Sequence, residues 1–273
     1  MSQIKTLHIQ SGTYQLPAQV FEPDAPPKVA YVLHCATGVP AAYYTKFAQW
    51  VAGQGHAILT YDYRQDSDVK TSDITMADWG IHDQNAALNT LLDLYPDAEI
   101  RVIGHSLGGL TTAFHDNAHR ISSFSAVCSG PAYWRRAPFP HNITAFLFWY
   151  VMGPLGIAFT GAVPARLLGT SAPIPKHAFR QWRKWCCNWH LHKSEWGTSM
   201  PKPNLQSVTA RLNLIGVSDD DLVPPVCVAD LAKFYPHANA TFETVTPTDA
   251  GTEAIGHLAI FRPKCATLWP KLL

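Results

Sequence analysis

The residues in this chain best able to do chemistry are Gly104-His105-Ser106-Leu107-Gly108-Gly109. A G-x-S-x-G run carries little weight alone. Here it follows the apolar run Ile100-Arg-Val-Ile103 and opens what reads as a helix over 107–117. Strand, sharp turn and helix is the setting in which such a serine acts as a nucleophile. The turn presses its backbone against neighbouring strands, so positions 104 and 108 need residues without a Cβ. It also pushes Ser106 Oγ outward and aims the Leu107 N–H at a reacting carbonyl. The glycine spacing is not G-x-G-x-x-G, and no Lys-Ser/Thr follows, so the dinucleotide and P-loop readings both fail.

A nucleophilic serine needs a base and an acid that orients the base. On a turn of this kind they follow the serine in the order acid, then histidine. Downstream, Ile215-Gly-Val-Ser-Asp219-Asp220-Asp221-Leu-Val-Pro224 leaves a strand and enters a helix. Distance to Pro224 favours Asp220, with Asp219 as the alternative in register. Of 13 histidines, only His237 and His257 lie beyond Asp220. His237 falls before the last strand, at the wrong end of a sheet. His257 follows that strand, beside the small Gly256, and is the expected base.

The elements that must position these groups read as strands alternating with helices. Strands are expected at 4–10, 15–21, 29–33, 57–61, 100–103, 125–128, 212–215 and 240–245. Helices are expected at 41–52, 79–94, 107–117, 224–234 and 258–273. Alternation of this kind argues for an α/β fold with a mostly parallel central sheet flanked by helices. A basic, tryptophan-rich segment at 131–207 interrupts it. The expected organisation is a core of 1–130 and 208–273 with 131–207 inserted as a helical cap.

Composition narrows the function classes. Charged residues make up 15% and hydrophobic residues 47% of 273 residues, which argues against disorder. The net charge of +1 gives no argument for nucleic acid. Six cysteines without a Cys-x-x-Cys pair, and no apolar stretch after the first residues, give the expectation of a cytoplasmic protein with reduced thiols. His190-Leu-His192 has no acidic or cysteine partner at useful spacing, so no metal is expected.

The 131–207 segment holds nine basic residues and one acid, a net +8, against −7 for the rest, and six of the nine tryptophans. Between 137 and 165 it has no Lys, Arg, Asp or Glu. Residues 145–163 approach membrane-spanning length. Gly153-Pro154 in the middle predicts two short helices instead, buried or surface-seeking. The charge has two readings: peripheral contact with an anionic membrane or substrate group, or pairing of the bases with acids of the body.

Beyond these residues, the chain resembles the α/β-hydrolase superfamily, and within it bacterial hydrolases of the serine aminopeptidase and monoacylglycerol-lipase-like branch. The matching stretches are Ala36-Thr-Gly-Val-Pro40, Tyr61-Asp-Tyr-Arg64, Asp78-Trp-Gly80, the Ser106 turn, Asp220 to Pro224 and Ile255-Gly-His257. Two departures stand out: Cys35 where the family has glycine, and Gln65 after Arg64. The resemblance implies a catalytic set of Ser106, Asp220 and His257, and oxyanion donors in the backbone N–H groups of Ala36 and Leu107. It implies no cofactor, and hydrolysis of a small acyl substrate, an ester or thioester, beneath the cap. The alternatives are an acyltransferase using the same residues and a non-catalytic binding protein on the same fold.

Overall fold

The computed structural model describes residues 3–167 and 172–273. Residues 168–171 of the inserted segment lie outside the described residues. The chain opens with a hairpin, β1 (Gln3–Ser11) and β2 (Tyr14–Glu22), then runs into β3 (Val29–His34), whose residues are all buried. Helix α1 (Thr45–Gly53) leads to the fully buried β4 (Ala57–Tyr61). A wider π-type turn, Asp78–Asp83, runs into α2 (Gln84–Leu94), and then come β5 (Glu99–His105) and β6 (Ile121–Val127).

The inserted segment carries α3 (His141–Leu147), α4 (Gly153–Thr160), the short strands β7 (Ala162–Val163) and β8 (Ile174–Pro175), and α5 (Lys176–Cys186). The core resumes with β9 (Arg211–Val217), α6 (Pro225–Asp230), β10 (Asn239–Val245) and α7 (Pro247–Ala250).

Eight strands form one sheet in the order β1-β2-β4-β3-β5-β6-β9-β10. β2 is antiparallel to β1 and β4, and every other pair from β4 to β10 is parallel. The continuous apolar runs of β3 and β4 are explained by this order, because central parallel strands are covered on both faces. The chemistry-bearing residues sit beyond the C-terminal ends of β3, β5 and β9, where ligands of open α/β sheets bind.

Three expectations need correction. The helix over 107–117 is replaced by short 3₁₀ turns at Ser106–Gly109, Thr112–Phe114 and Ala118–Arg120. Gly108-Gly109 and the β-branched Thr111-Thr112 weaken it. Thr111 Oγ1 also donates to the Gly80 carbonyl at 2.6 Å, which ties the chain to the Asp78–Asp83 turn. The C-terminal helix is likewise 3₁₀, Ala259–Phe261 and Pro263–Leu272, with prolines at both ends of the second run. Finally, Pro154 does not split the inserted apolar run. His141–Thr160 is one continuous helical segment, because the π turn Phe148–Met152 widens the backbone just before Pro154. That widening relieves the clash a proline ring makes with the carbonyl four residues back.

Arg64, Asp83, Ser11 and Trp79 form a buried lock at the edge of the sheet. Arg64 is buried and donates to Asp83 Oδ1 from Nε at 2.8 Å and to Ser11 Oγ at 2.7 Å, and Trp79 Nε1 donates to the Arg64 carbonyl at 3.0 Å. This ties the loop after β4 to β1 and to the start of α2. Cys35 is accommodated because its backbone is not in the left-handed region where glycine would be needed; its thiol packs on the Tyr61 carbonyl at 3.4 Å.

Candidate active site

β5 delivers Ser106 at its C-terminal end with φ of +54°, a strained value for a residue with a side chain. The strain is held by close backbone contact. A Cβ on Gly104 would lie 2.3 Å from the Gly108 carbonyl oxygen, and one on Gly108 would lie 2.1 Å from that of His34. Ser129 Oγ donates to the Ser106 carbonyl at 2.8 Å and holds the turn from β6. The Leu107 N–H lies in the first turn after the strand, where no intrahelical acceptor exists.

β9 ends in the turn that carries the three aspartates, and each does something different. Asp220 is buried, and its Oδ2 lies 2.8 Å from His257 Nδ1. Its Oδ1 accepts from the N–H groups of Leu222 and Val223, both at 2.9 Å. Burial pushes the Asp220 carboxyl up, but the charge of His257, its hydrogen bond and the two N–H groups outweigh that and hold it below the usual range. Asp219 accepts from the N–H groups of Ile255 and Gly256, at 2.9 and 3.1 Å, and so fixes the loop that carries His257. Asp221 faces His141 Nδ1 at 3.2 Å, at the start of the inserted helix.

With Nδ1 held by Asp220, Nε2 is the His257 nitrogen available to the cavity. Among the described residues no hydrogen bond joins it to Ser106 Oγ. Such contacts often tighten only when substrate binds.

The predicted oxyanion donor Ala36 has a partner already: its N–H donates to Tyr44 Oη at 3.0 Å. Tyr44 Oη lies 2.8 Å from His105 Nδ1, and His105 Nε2 lies 2.9 Å from the His257 carbonyl oxygen. The carbonyl can only accept, so Nε2 carries the proton and Nδ1 accepts from Tyr44. Burial, then the nearby His257, push His105 down to about 3, so its ring stays neutral. One buried chain of hydrogen bonds thus links the Ala36 N–H to the backbone of His257.

Sequence reasoning missed Tyr44 and His105. Tyr44 reads as an ordinary apolar position, and nothing in spacing reveals a contact assembled from four separate segments. It also missed Cys128, at φ +49° beyond β6, whose thiol is pushed up by burial and the facing Asp220. His105, Cys128 and His257 have ligand atoms within 4.8 Å of one another, but both His105 nitrogens and His257 Nδ1 are already engaged, which argues against a metal there. His192 is engaged as well, by the Leu110 carbonyl and by Trp196 Nε1.

Ser106 and His257 open on a shared cavity of about 450 Å³. Its far wall comes from the inserted segment, including Ala145, Phe148, Trp149, Met152 and Trp182. A smaller apolar recess of about 50 Å³ continues from Ser106 towards Trp134 and Trp185. A separate cavity of about 310 Å³ between the 62–72 loop and Pro173–Pro175 touches none of Ser106, Asp220 and His257. The tryptophans of the insert mostly form its own core: Trp149 and Trp185 are buried, Trp134, Trp182 and Trp196 are partly buried, and Trp189 is exposed.

Comparison with known proteins agrees with this architecture. The sequence profile of the family described as serine aminopeptidase, S33, matches residues 26–158. No curated protein matches the chain at a significant level. Among solved structures, a soluble variant of monoglyceride lipase from Saccharomyces cerevisiae, bound to a substrate analog, is similar with a TM-score of 0.69 and 13% identity, over 100% of this chain and 95% of that one. The esterase domain of a Rhodothermus marinus protein gives 0.58 and 20%, over 99% and 96%. A thermostable carboxyl esterase from Bacillus coagulans gives 0.60 and 12%, over 90% and 91%. The chain has the α/β-hydrolase fold.

Proposed function

We propose that this protein is a serine hydrolase that cleaves a carboxylic ester or thioester bearing an acyl chain. The observation that carries the reading is the Asp220–His257 pair opening, with the strained Ser106, on one largely apolar cavity. Ser106 Oγ attacks the acyl carbonyl while His257 Nε2 takes its proton. His257 then delivers that proton to the leaving oxygen or sulfur, leaving an acyl-serine. Water, deprotonated by His257, attacks the acyl-serine and releases the acid. Asp220 holds the imidazole tautomer and stabilises the imidazolium. The N–H groups of Leu107 and Ala36 stabilise the oxyanion, which competes with Tyr44 Oη for the Ala36 hydrogen.

The inserted segment acts as a cap. Its apolar inner wall favours an acyl chain over a charged peptide, and the monoglyceride lipase among the similar structures agrees with that choice.

The test is labelling with a fluorophosphonate, followed by turnover of esters of increasing acyl length. Wild-type protein is expected to be labelled at Ser106, and Ser106→Ala to stay folded, escape labelling and lose several orders of magnitude in kcat, as triad serines do. A Ser106→Ala protein that keeps its turnover refutes the mechanism. A wild-type protein that is neither labelled nor active is a binding protein on the same fold, and acyl-serine that decays only when an alcohol or amine is added is a transferase.

A further inference from the structure

The inserted helical segment His141–Thr160 turns an apolar face to solvent along its whole length. Ile143, Phe146 with Leu147, Tyr150 with Val151, Leu155 and Phe159 recur every three or four residues, and all are exposed. Phe159 is 83% exposed, and Phe139, just ahead of the helix, is 78% exposed. The segment has 20 residues, and an 18-residue window within it has a mean hydropathy of 1.6 with only 11% of it buried. A contiguous apolar stripe of this size marks an interaction surface.

The opposite face of the same helix is already used. Trp149 is buried against Phe179 and Trp182, Gly153 abuts Phe179, and Ala145 and Phe148 line the Ser106 cavity. At its C-terminal end the chain turns back through β7, which pairs with β8 of the same inserted segment. The helix therefore lies along the molecule and does not leave it to cross a bilayer.

Charge on the same face identifies what covers it. Arg135 lies over the Trp134 ring at 5.2 Å, Arg136 over Trp189 at 4.8 Å and Arg183 over Tyr150 at 4.8 Å. Trp134 packs on Phe146 with centroids 5.3 Å apart, and Phe146 stacks on Tyr150 at 4.9 Å, so these arginines border the stripe itself. Beside Tyr150, Arg180, Arg183, Lys184 and Trp189 line an open depression of about 460 Å³. Lys184 is paired with Glu195 and Arg136 with Asp230. Among the described residues, Arg135, Arg180 and Arg183 have no acidic partner. An apolar stripe bordered by aromatic rings and guanidinium groups matches the acyl, interfacial and phosphate layers of a lipid leaflet in turn.

We propose that this face docks the protein in the plane of an anionic phospholipid bilayer, with the stripe in the outer acyl region and Arg180 and Arg183 on lipid phosphates. Resting on the hydrolase reading above, docking would also set the exposed Leu167, which lines the Ser106 cavity, beside the lipid from which an acyl substrate is drawn.

The experiment is flotation of the full chain with vesicles of phosphatidylcholine alone and of phosphatidylcholine mixed with phosphatidylglycerol, at low and high salt. Binding is expected to be stronger to the mixed vesicles and to weaken with salt. Leu155→Asp with Phe159→Asp, both on the exposed face, should weaken binding to both vesicle types about ten-fold or more, the order of partitioning lost when such side chains leave the acyl region. Arg180→Ala with Arg183→Ala should lower binding to the mixed vesicles by about five-fold per charge, and binding to phosphatidylcholine, whose phosphate is balanced by choline, by much less. Circular dichroism and thermal midpoints equal to those of the parent establish that the variants are folded. Failure of the wild type to float with mixed vesicles, or variants that float equally well, overturns the proposal. So does a dimer seen by light scattering that Leu155→Asp with Phe159→Asp dissolves, since the face would then belong to a second copy. Vesicle binding by a protein that no fluorophosphonate labels sinks the hydrolase reading and leaves the docking intact, and labelling without vesicle binding does the reverse.

Discussion

Asp219 and Asp220 are neighbours in sequence and differ in task. One carboxylate meets the His257 ring and the other meets the backbone that carries it. Spacing along the chain left both open as the acid, because a one-residue register within a turn depends on how that turn leaves β9. The hydrogen bonds separate them. Asp220→Asn should leave the fold intact and lower kcat for an ester by about 10⁴, the order seen when a triad histidine takes the wrong tautomer. Asp219→Asn still offers one acceptor oxygen to Ile255 and Gly256, so it should cost less than about ten-fold in kcat and lower the thermal midpoint instead, by roughly the loss of one charge-assisted hydrogen bond. Equal losses of kcat in the two variants would contradict this division of labour. The Tyr44–His105 link shows where reading residues one at a time stops. Each of its groups is an unremarkable residue type, and the chain of hydrogen bonds exists only because the segments after β3 and β5 pack against the His257 loop.

At the level of elements, the sheet was legible and the helices less so. Eight strands are marked by short runs bounded by turn residues; the apolar runs of β3 and β4 lie in the covered centre, while β10, though parallel, is an exposed edge strand. Helices failed where tertiary contact overrides local pattern. After Ser106 the backbone is held against His34, and Thr111 is tied to Gly80, so 107–117 cannot settle into regular α turns. In the insert, a π turn absorbs Pro154 and joins what pattern alone would divide.

The join has a testable weak point at Gly153. A Cβ there would lie 2.1 Å from Phe179 Cζ, and Phe179 is itself buried and stacked on Trp149. Gly153→Ala gains about 1 kcal/mol of helix propensity. It loses about 1–3 kcal/mol to overpacking, because Phe179 has nowhere to go. The expected result is a lower thermal midpoint and faster limited proteolysis within 131–207, with cleavage of the core unchanged. A raised midpoint with unchanged proteolysis would mean that the helix and α5 are not locked together there.

At the scale of the whole molecule, four histidines among the described residues are buried and held neutral. Burial, followed by the neighbouring His115, pushes His34 well down; burial takes His115 and His192 each to about 4; burial, followed by His257, takes His105 to about 3. In the unfolded chain a histidine ionises near its ordinary value of about 6.5. Below that pH the unfolded state binds protons that the folded state refuses, so stability falls as pH falls. The loss continues until pH reaches the depressed folded values. Asp220 works in a lower window: its carboxyl is held below the usual range, so its contribution is present above the unfolded carboxylate value and fades only as pH drops through the folded one. Between pH of about 6.5 and 4.5 the histidines therefore set the slope, at up to about 1.4 kcal/mol per pH unit for each group. Urea denaturation across that range should show a midpoint that falls steadily on acidification. His115→Gln replaces a ring that donates to the Gly80 carbonyl at 3.0 Å with an amide that can still donate and cannot be protonated. It should reduce the slope by about one group's share, even if it lowers stability at neutral pH. A midpoint that stays flat from neutral pH down to about 4.5 would mean that these rings gain access to solvent and protonate in the folded protein.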